Sequence, residues 1–161
     1  SIIVEGAVNC SRGALRHMLA AGRGSIVNVS SVNAVGFYGH PTYSAAKAAL
    51  LSLTRSIAVQ YAGSGIRCNT VLPGTIKTPA WAEQVAADPS TFDALRTWYP
   101  AGDVAEPGEV AEVIAFLAHE RSSIINGATI VADGGLTAGN LPMSRFVEGD
   151  PEKSHVSASG T

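Results

Sequence analysis

Apolar positions recur at two different periods along this chain of 161 residues, and their alternation predicts the elements. Over residues 4–21, Val4, Val8, Ala14, Leu15, Met18 and Leu19 fall at helical spacing, with Gly22 and Gly24 placed where a helix would end. The run Ser25-Ile26-Val27-Asn28-Val29-Ser30 is short, β-branched and apolar at successive positions, the pattern of a strand buried on both faces. A loop with Gly36 and Gly39 leads to Pro41, suited to a first helical turn, and residues 41–61 read as a long helix rich in alanine and leucine. Gly63 and Gly65 close that helix, and residues 66–72 read as a second strand stopped by Pro73-Gly74.

Residues 75–106 are less regular, broken by Pro79, Pro89 and Pro100 and carrying Trp81, Phe92, Trp98 and Tyr99. Pro107 opens a helix whose Val110, Val113, Ile114 and Leu117 share one face. Residues 128–132 predict a third strand, ended by Asp133-Gly134-Gly135. Beyond 136 the periodicity stops, which predicts one domain over 1–136 and a flexible carboxyl-terminal tail over 137–161. Strands alternating with helices predict an α/β fold with a parallel sheet. All three strands finish in small or turn-forming residues, so the unusual residues gather at the carboxyl edge, where open α/β sheets bind ligands.

Charge narrows the function classes. Eleven basic and thirteen acidic residues leave a net charge of −2 without any block of like charge, which argues against nucleic acid as a partner. No apolar run approaches the length of a membrane span, and the opening residues show neither the charged start nor the small-residue cleavage site expected of a secretory signal. Cys10 and Cys68 lie in apolar surroundings without metal or redox spacing, so both are expected to be inert core thiols in a cytoplasmic protein. No metal site is expected.

The chemistry concentrates on three residues. Tyr43 and Lys47 are four apart near the start of the long helix, which puts their side chains on one face. A phenol ordinarily ionises near pH 10, too high to exchange protons readily at neutrality, and a close, desolvated ammonium favours its phenolate. Ser31, at the end of the first strand, supplies a hydroxyl that can hold a carbonyl or alcohol oxygen. With four tyrosines and three lysines in the chain, roughly 0.07 such Tyr-x-x-x-Lys pairs are expected by chance, so the pair alone is only suggestive. Singly, each residue reads more simply as a helix-end tyrosine, a solvated lysine or a strand-end serine; their shared edge favours a site.

Four ordered motifs then carry a resemblance. Ile26-Val27-Asn28-Val29-Ser30-Ser31, Tyr43-Ser44-Ala45-Ala46-Lys47, Arg67-Cys68-Asn69-Thr70-Val71-Leu72-Pro73-Gly74 and Asp133-Gly134-Gly135 resemble the short-chain dehydrogenase/reductase family over roughly residues 3–136. The resemblance implies a Rossmann-like, doubly wound parallel sheet. It also implies hydride transfer between NAD or NADP and a small alcohol or ketone substrate. By it, Tyr43 is the general acid/base, Lys47 assists Tyr43 and binds the nicotinamide ribose, and Ser31 orients the substrate oxygen. Ser31 precedes Tyr43 by 12 positions, one fewer than is common in the family, so Ser30 stays open as the alternative. Pro73-Gly74-Thr75-Ile76-Lys77-Thr78 resembles the stretch that holds the nicotinamide carboxamide through the Ile76 backbone and the Thr78 hydroxyl. The family's paired helices further imply a homodimer or homotetramer.

Two departures accompany the resemblance. The family's glycine-rich phosphate fingerprint does not occur in these residues; Gly63-Ser64-Gly65 stands between the wrong elements. Ile3 also occupies the place where the family usually has a helix asparagine. The expectation is therefore a chain that corresponds to the catalytic portion, without the amino-terminal cofactor-binding half. The competing reading is an inactive fragment serving at most as an oligomerising or interaction module. A serine hydrolase built on Ser31 lacks the Gly-x-Ser-x-Gly elbow.

Overall fold

In the computed structural model, residues 2–149 are described; Ser1 and residues 150–161, the outer part of the expected tail, lie outside the described residues. The described residues divide into two compact units, residues 2–73 with Gly108–Ala132, and Gly74–Pro107 with residues 133–149.

The first unit holds a three-stranded parallel sheet in the order β1-β2-β3, with β1 at Gly24–Val29, β2 at Ile66–Pro73 and β3 at Thr129–Ala132. Helix α1 (Ile2–Ala21) precedes β1, and α2 (Pro41–Tyr61) is the crossover between β1 and β2. Pro41 occupies the first turn of α2, where its missing N–H costs nothing. The register places Gly24 opposite Ile66 and Val29 opposite Val71, and Ser30 N–H prolongs the pairing by donating to Val71 at 2.8 Å.

Burial differs among the strands. Every residue of β2 except the half-buried Arg67 is buried, as expected for a strand covered on both faces. The same expectation fails for β1, whose residues other than Asn28 are only half-buried or exposed. As the outer strand of the described sheet it lacks a neighbour along one side. On one face, Leu15 of α1 and Ile57 and Ala58 of α2 pack with Ile66 and Cys68, flanked by Met18, Ile26, Leu53 and Tyr61. At roughly 25 cal/mol per Å² of apolar surface removed from water, this cluster is the main force holding the helices on the sheet. On the other face, α5 (Pro107–Ala118) carries Leu117 in its last turn, and the Leu117 carbonyl accepts hydrogen bonds from Ser25 and Arg67.

Cys68 lies in that core, where burial pushes its thiol up to about 11. Cys10 does not share its environment. It stands on the exposed side of α1, because the helix buries only Ser11 and Leu15. The expectation of two core thiols is thus met by one.

The second unit contains α3 (Ala82–Ala87) and α4 (Thr91–Arg96), both inside the stretch the sequence leaves irregular, and α6 (Leu141–Val147), inside the expected tail. Asn140 caps α6 by accepting from Met143 N–H at 3.0 Å, a local signal that periodicity does not register.

Candidate active site

Ser30 and Ser31 follow β1 directly, and they do different things. Ser30 is buried and donates its hydroxyl to the Lys47 carbonyl at 2.8 Å, stitching the strand end to α2. The Ser31 hydroxyl caps the 3-10 turn Val32–Ala34, accepting from Asn33 N–H at 3.2 Å and lying 3.3 Å from Asn33 Oδ1. Asn33 in turn donates to the Gly39 carbonyl at 2.9 Å and to the Ser44 hydroxyl at 3.2 Å. One amide side chain therefore connects the Ser31 turn to the residue beside Tyr43.

The chain enters α2 through two left-handed residues, Gly39 with φ 93° and His40 with φ 57°. Glycine adopts that conformation freely, whereas a histidine held there stores strain. Tyr43 emerges one turn later, 38% exposed. Lys47 follows at the next turn and places its ammonium 5.5 Å from the centre of the Tyr43 ring. The same ammonium donates to the Val29 carbonyl at 2.9 Å, which anchors it at the carboxyl end of β1. Burial pushes the Lys47 ammonium below the usual lysine range. Between the Ser31 turn and α2, Val35, Phe37 and Tyr38 are exposed and give the loop an apolar surface.

Deeper under α2 lies a second polar group. Thr54, 1% exposed, accepts from Asn28 Nδ2 at 2.8 Å and from the Thr70 hydroxyl at 2.6 Å. Among the described residues no buried side-chain nitrogen or oxygen is left without a partner.

The second unit carries Gly74, Ile76 and Thr78. Ile76 forms a parallel bridge with Ala105, built from Lys77 N–H to the Ala105 carbonyl at 2.9 Å and Ala105 N–H to the Thr75 carbonyl at 3.0 Å. That pattern uses the neighbours' groups, so the N–H and C=O of Ile76 itself point the other way. Thr78 precedes the 3-10 turn Pro79–Trp81, and its hydroxyl makes no capping bond there. The buried Tyr99 hydroxyl accepts from Thr75 N–H at 2.7 Å. Trp81 and Phe92 pack as a tilted pair with ring centres 5.9 Å apart, whereas Trp98 is exposed. Asp133 folds its carboxylate onto Gly135 N–H at 2.9 Å and Thr137 N–H at 2.8 Å. Lys77 pairs with Asp103 at 3.2 Å and Glu106 at 2.7 Å, and Arg96 reaches Asp103 at 2.9 Å. The guanidinium of Arg96, with help from Lys77, holds the Asp103 carboxyl down at about 2.

The family model described as enoyl-(acyl carrier protein) reductase matches residues 1–137. The cis-4-hydroxycyclohexanecarboxylate dehydrogenase of Sinomonas cyclohexanicum is 51% identical over 138 residues, 85% of this chain and 54% of that protein. The crystal structure of a Burkholderia thailandensis oxidoreductase of the short-chain dehydrogenase/reductase family superposes with a TM-score of 0.81 at 46% identity, covering 83% of this chain and 53% of the other. This chain belongs to the short-chain dehydrogenase/reductase family. A Burkholderia cenocepacia gluconate 5-dehydrogenase, solved in complex with NADP and tartrate, matches at a TM-score of 0.80 and 32% identity, covering 86% of this chain and 54% of the other. The chain spans about half the length of the curated relatives it matches.

For this short-chain dehydrogenase/reductase chain, sequence reasoning named Tyr43, Lys47 and Ser31 but missed Asn33 and Thr54. Asn33 carried a readable signal, since an asparagine shortly after a strand end is a common turn-forming side chain. Thr54 carried none. A threonine on an apolar helical stripe reads as filler until the strand residues beneath it are known.

Proposed function

We propose that residues 1–136 form the catalytic portion of an oxidoreductase that interconverts a small alcohol and its ketone with NAD or NADP. The observation that carries this reading is the Tyr43–Lys47 pair, with the ammonium 5.5 Å from the ring and anchored to Val29 at the strand end. Neighbouring structures hold NADP, as the gluconate 5-dehydrogenase does.

Each unit, taken by itself, offers groups suited to the nicotinamide end of such a cofactor. Lys47 keeps ammonium hydrogens beyond the one given to Val29, enough for a ribose hydroxyl. The backbone groups of Ile76 turned from the Ala105 bridge, the uncapped Thr78 hydroxyl and the side-chain-free Gly74 after Pro73 suit a carboxamide. When bound, the nicotinamide supplies or takes the hydride.

Tyr43 gives its phenolic proton to the ketone oxygen in reduction and takes it from the alcohol in oxidation. Lys47 stabilises the phenolate by its charge. Ser31 turns its hydroxyl from Asn33 Oδ1 to the substrate oxygen and holds it for Tyr43. Ser30 is already committed to the Lys47 carbonyl, which favours Ser31 as the orienting residue. The exposed Val35, Phe37 and Tyr38 suit a substrate with an apolar body. Exposed Leu19 on α1 and Val59 on α2 suit a homodimer or homotetramer formed through these helices. We place the protein in the cytoplasm; among the described residues no helix is long and apolar enough to cross a membrane.

The test titrates the chain with NADH and NADPH by tryptophan fluorescence and then measures ketone reduction by the Tyr43→Phe variant. A loss of 10²–10⁴-fold in turnover with cofactor affinity nearly unchanged is expected. Retention of most of the activity would remove Tyr43 from the mechanism, and absence of any nucleotide binding would leave the inactive-module reading.

A further inference from the structure

We propose that Thr54 is a positioning residue for Tyr43 and Lys47, its buried hydroxyl setting the rotation of the helix that carries both. The inference rests on the acid/base reading of that pair and adds a residue two to three turns away from it. At 3.6 residues per turn, the eleven positions from Tyr43 to Thr54 make three turns plus about 20°, and the seven from Lys47 make two turns less about 20°. Thr54 thus points in a direction midway between those of Tyr43 and Lys47. It occupies the centre of the stripe that α2 presses on the sheet, which also includes Ala46, Leu50, Ile57 and Ala58.

Those apolar neighbours hold α2 down but not at one angle. Apolar attraction is non-directional, so a small roll of the helix changes the buried area little. A roll of 20° nevertheless carries a group roughly 5–6 Å from the axis through about 2 Å. Misplacement by about 1 Å can cost a reaction 10²-fold.

The hydrogen bonds at Thr54 are directional. Its oxygen receives Asn28 Nδ2 from β1 at 2.8 Å and the Thr70 hydroxyl from β2 at 2.6 Å, in a place closed to water. A roll in either direction lengthens one of them inside the core, where an unpaired donor has no substitute partner. Asn28 is held as well, with its amide 3.7 Å from the Cys68 sulfur. A fully satisfied buried network of this kind specifies a single arrangement. The Ser30 bond to the Lys47 carbonyl, two turns along the helix, fixes the end nearer the site.

The experiment compares Thr54→Val, which keeps the shape and deletes the hydroxyl, with Thr54→Ser, which keeps the hydroxyl. Ile57→Val serves as a control that loosens the same stripe without touching a hydrogen bond. Two readouts are taken on the chain: the ring resonances of Tyr43 after carbon-13 tyrosine labelling, assigned by their loss in Tyr43→Phe, and the turnover and KM for ketone reduction. Thr54→Val should displace or broaden the Tyr43 resonances and lower turnover 10- to 100-fold, with a smaller change in substrate KM. Thr54→Ser should restore both, and Ile57→Val should leave both near the parent values at a similar loss of thermal stability. If Thr54→Val does not fold, Thr70→Val removes one of the two donors and is read in the same way. Parent-like resonances and turnover in a folded Thr54→Val or Thr70→Val, or the same changes in Ile57→Val, would overturn the proposal. The resonance readout needs no nucleotide, so it decides the positioning role even if Tyr43→Phe keeps its activity and the acid/base reading falls.

Discussion

Ser30 gives its hydroxyl proton to the backbone carbonyl of Lys47 at 2.8 Å. The bond runs in the opposite sense to the one Lys47 makes from its ammonium to Val29 at 2.9 Å, so strand end and helix are tied twice through one lysine. The two adjacent serines can therefore be separated by experiment. Ser30→Ala should lower stability by about 0.5–1.5 kcal/mol, the usual worth of one hydrogen bond, and reduce turnover only modestly. Ser31→Ala should lower turnover about 10²–10³-fold, the loss expected when a donor to the reacting oxygen is removed. Denaturant midpoints and steady-state ketone reduction on both variants check this; equal turnover losses would put Ser30 back among the candidates.

Lys47→Ala should do more damage than Tyr43→Phe to nucleotide binding. It removes the charge beside the phenol together with the ribose contact proposed above, so both cofactor affinity and turnover should fall, whereas Tyr43→Phe should affect mainly turnover. Fluorescence titration of the two variants against the parent reads the difference directly.

The Asp103 carboxyl sits at about 2 in the folded chain, below its ordinary value of 3.8. A group that holds its proton less tightly when folded stabilises the fold above its unfolded value and loses that contribution as pH falls through its folded value. Asp103→Asn should thus differ from the parent in denaturant midpoint by a constant amount from about pH 5 upwards. The difference should shrink between about pH 4 and pH 2. Added salt should reduce it too, because Asp103 and its partners Lys77 and Arg96 are all partly exposed. A difference that grew toward acid pH would contradict the assignment.

Gly74 lies against the buried ring of Tyr99. A β-carbon there would stand 2.9 Å from the Tyr99 hydroxyl and 3.3 Å from the Asp133 Cα, closer than side chains normally pack. Gly74→Ala should cost about 1–3 kcal/mol, the range for overpacking a filled site. It should also weaken nucleotide binding, because Tyr99 holds the Thr75 N–H next to Ile76. A parent-like midpoint with parent-like nucleotide affinity would show that Tyr99 yields without consequence.

The elements with long periods were legible in the sequence, and so was the pairing of Tyr43 with Lys47 in the candidate site. Pro41 and the alanine-rich run marked α2 to both of its ends, and Tyr43 and Lys47 fell on one face by spacing alone. The short helices α3, α4 and α6, of six or seven residues, are too brief for a periodic signal and depend on local bonds such as the Asn140 cap. Cys10 was misplaced because an apolar neighbourhood in sequence is not one in space; its side of α1 faces outward. The division of labour between Ser30 and Ser31 depends on which hydroxyl meets the Lys47 carbonyl, and no pattern in a single chain states that.

The carbonyl of Ile125 accepts from Asn69 Nδ2 at 2.8 Å and from Arg67 Nη1 at 3.3 Å, while Asn69 Oδ1 accepts from Ala128 N–H at 2.9 Å. Two side chains of β2 therefore seize the backbone on its way into β3, which has only four residues and alternates between exposed and half-buried ones. The alignment of the last strand is thus written in its neighbour rather than in its own residues. Substitution tolerance should follow the same division. Thr129 and Val131 can exchange for other β-branched residues at small cost, whereas changing Asn69, a strand away and wholly buried, would leave β3 without a fixed place to begin.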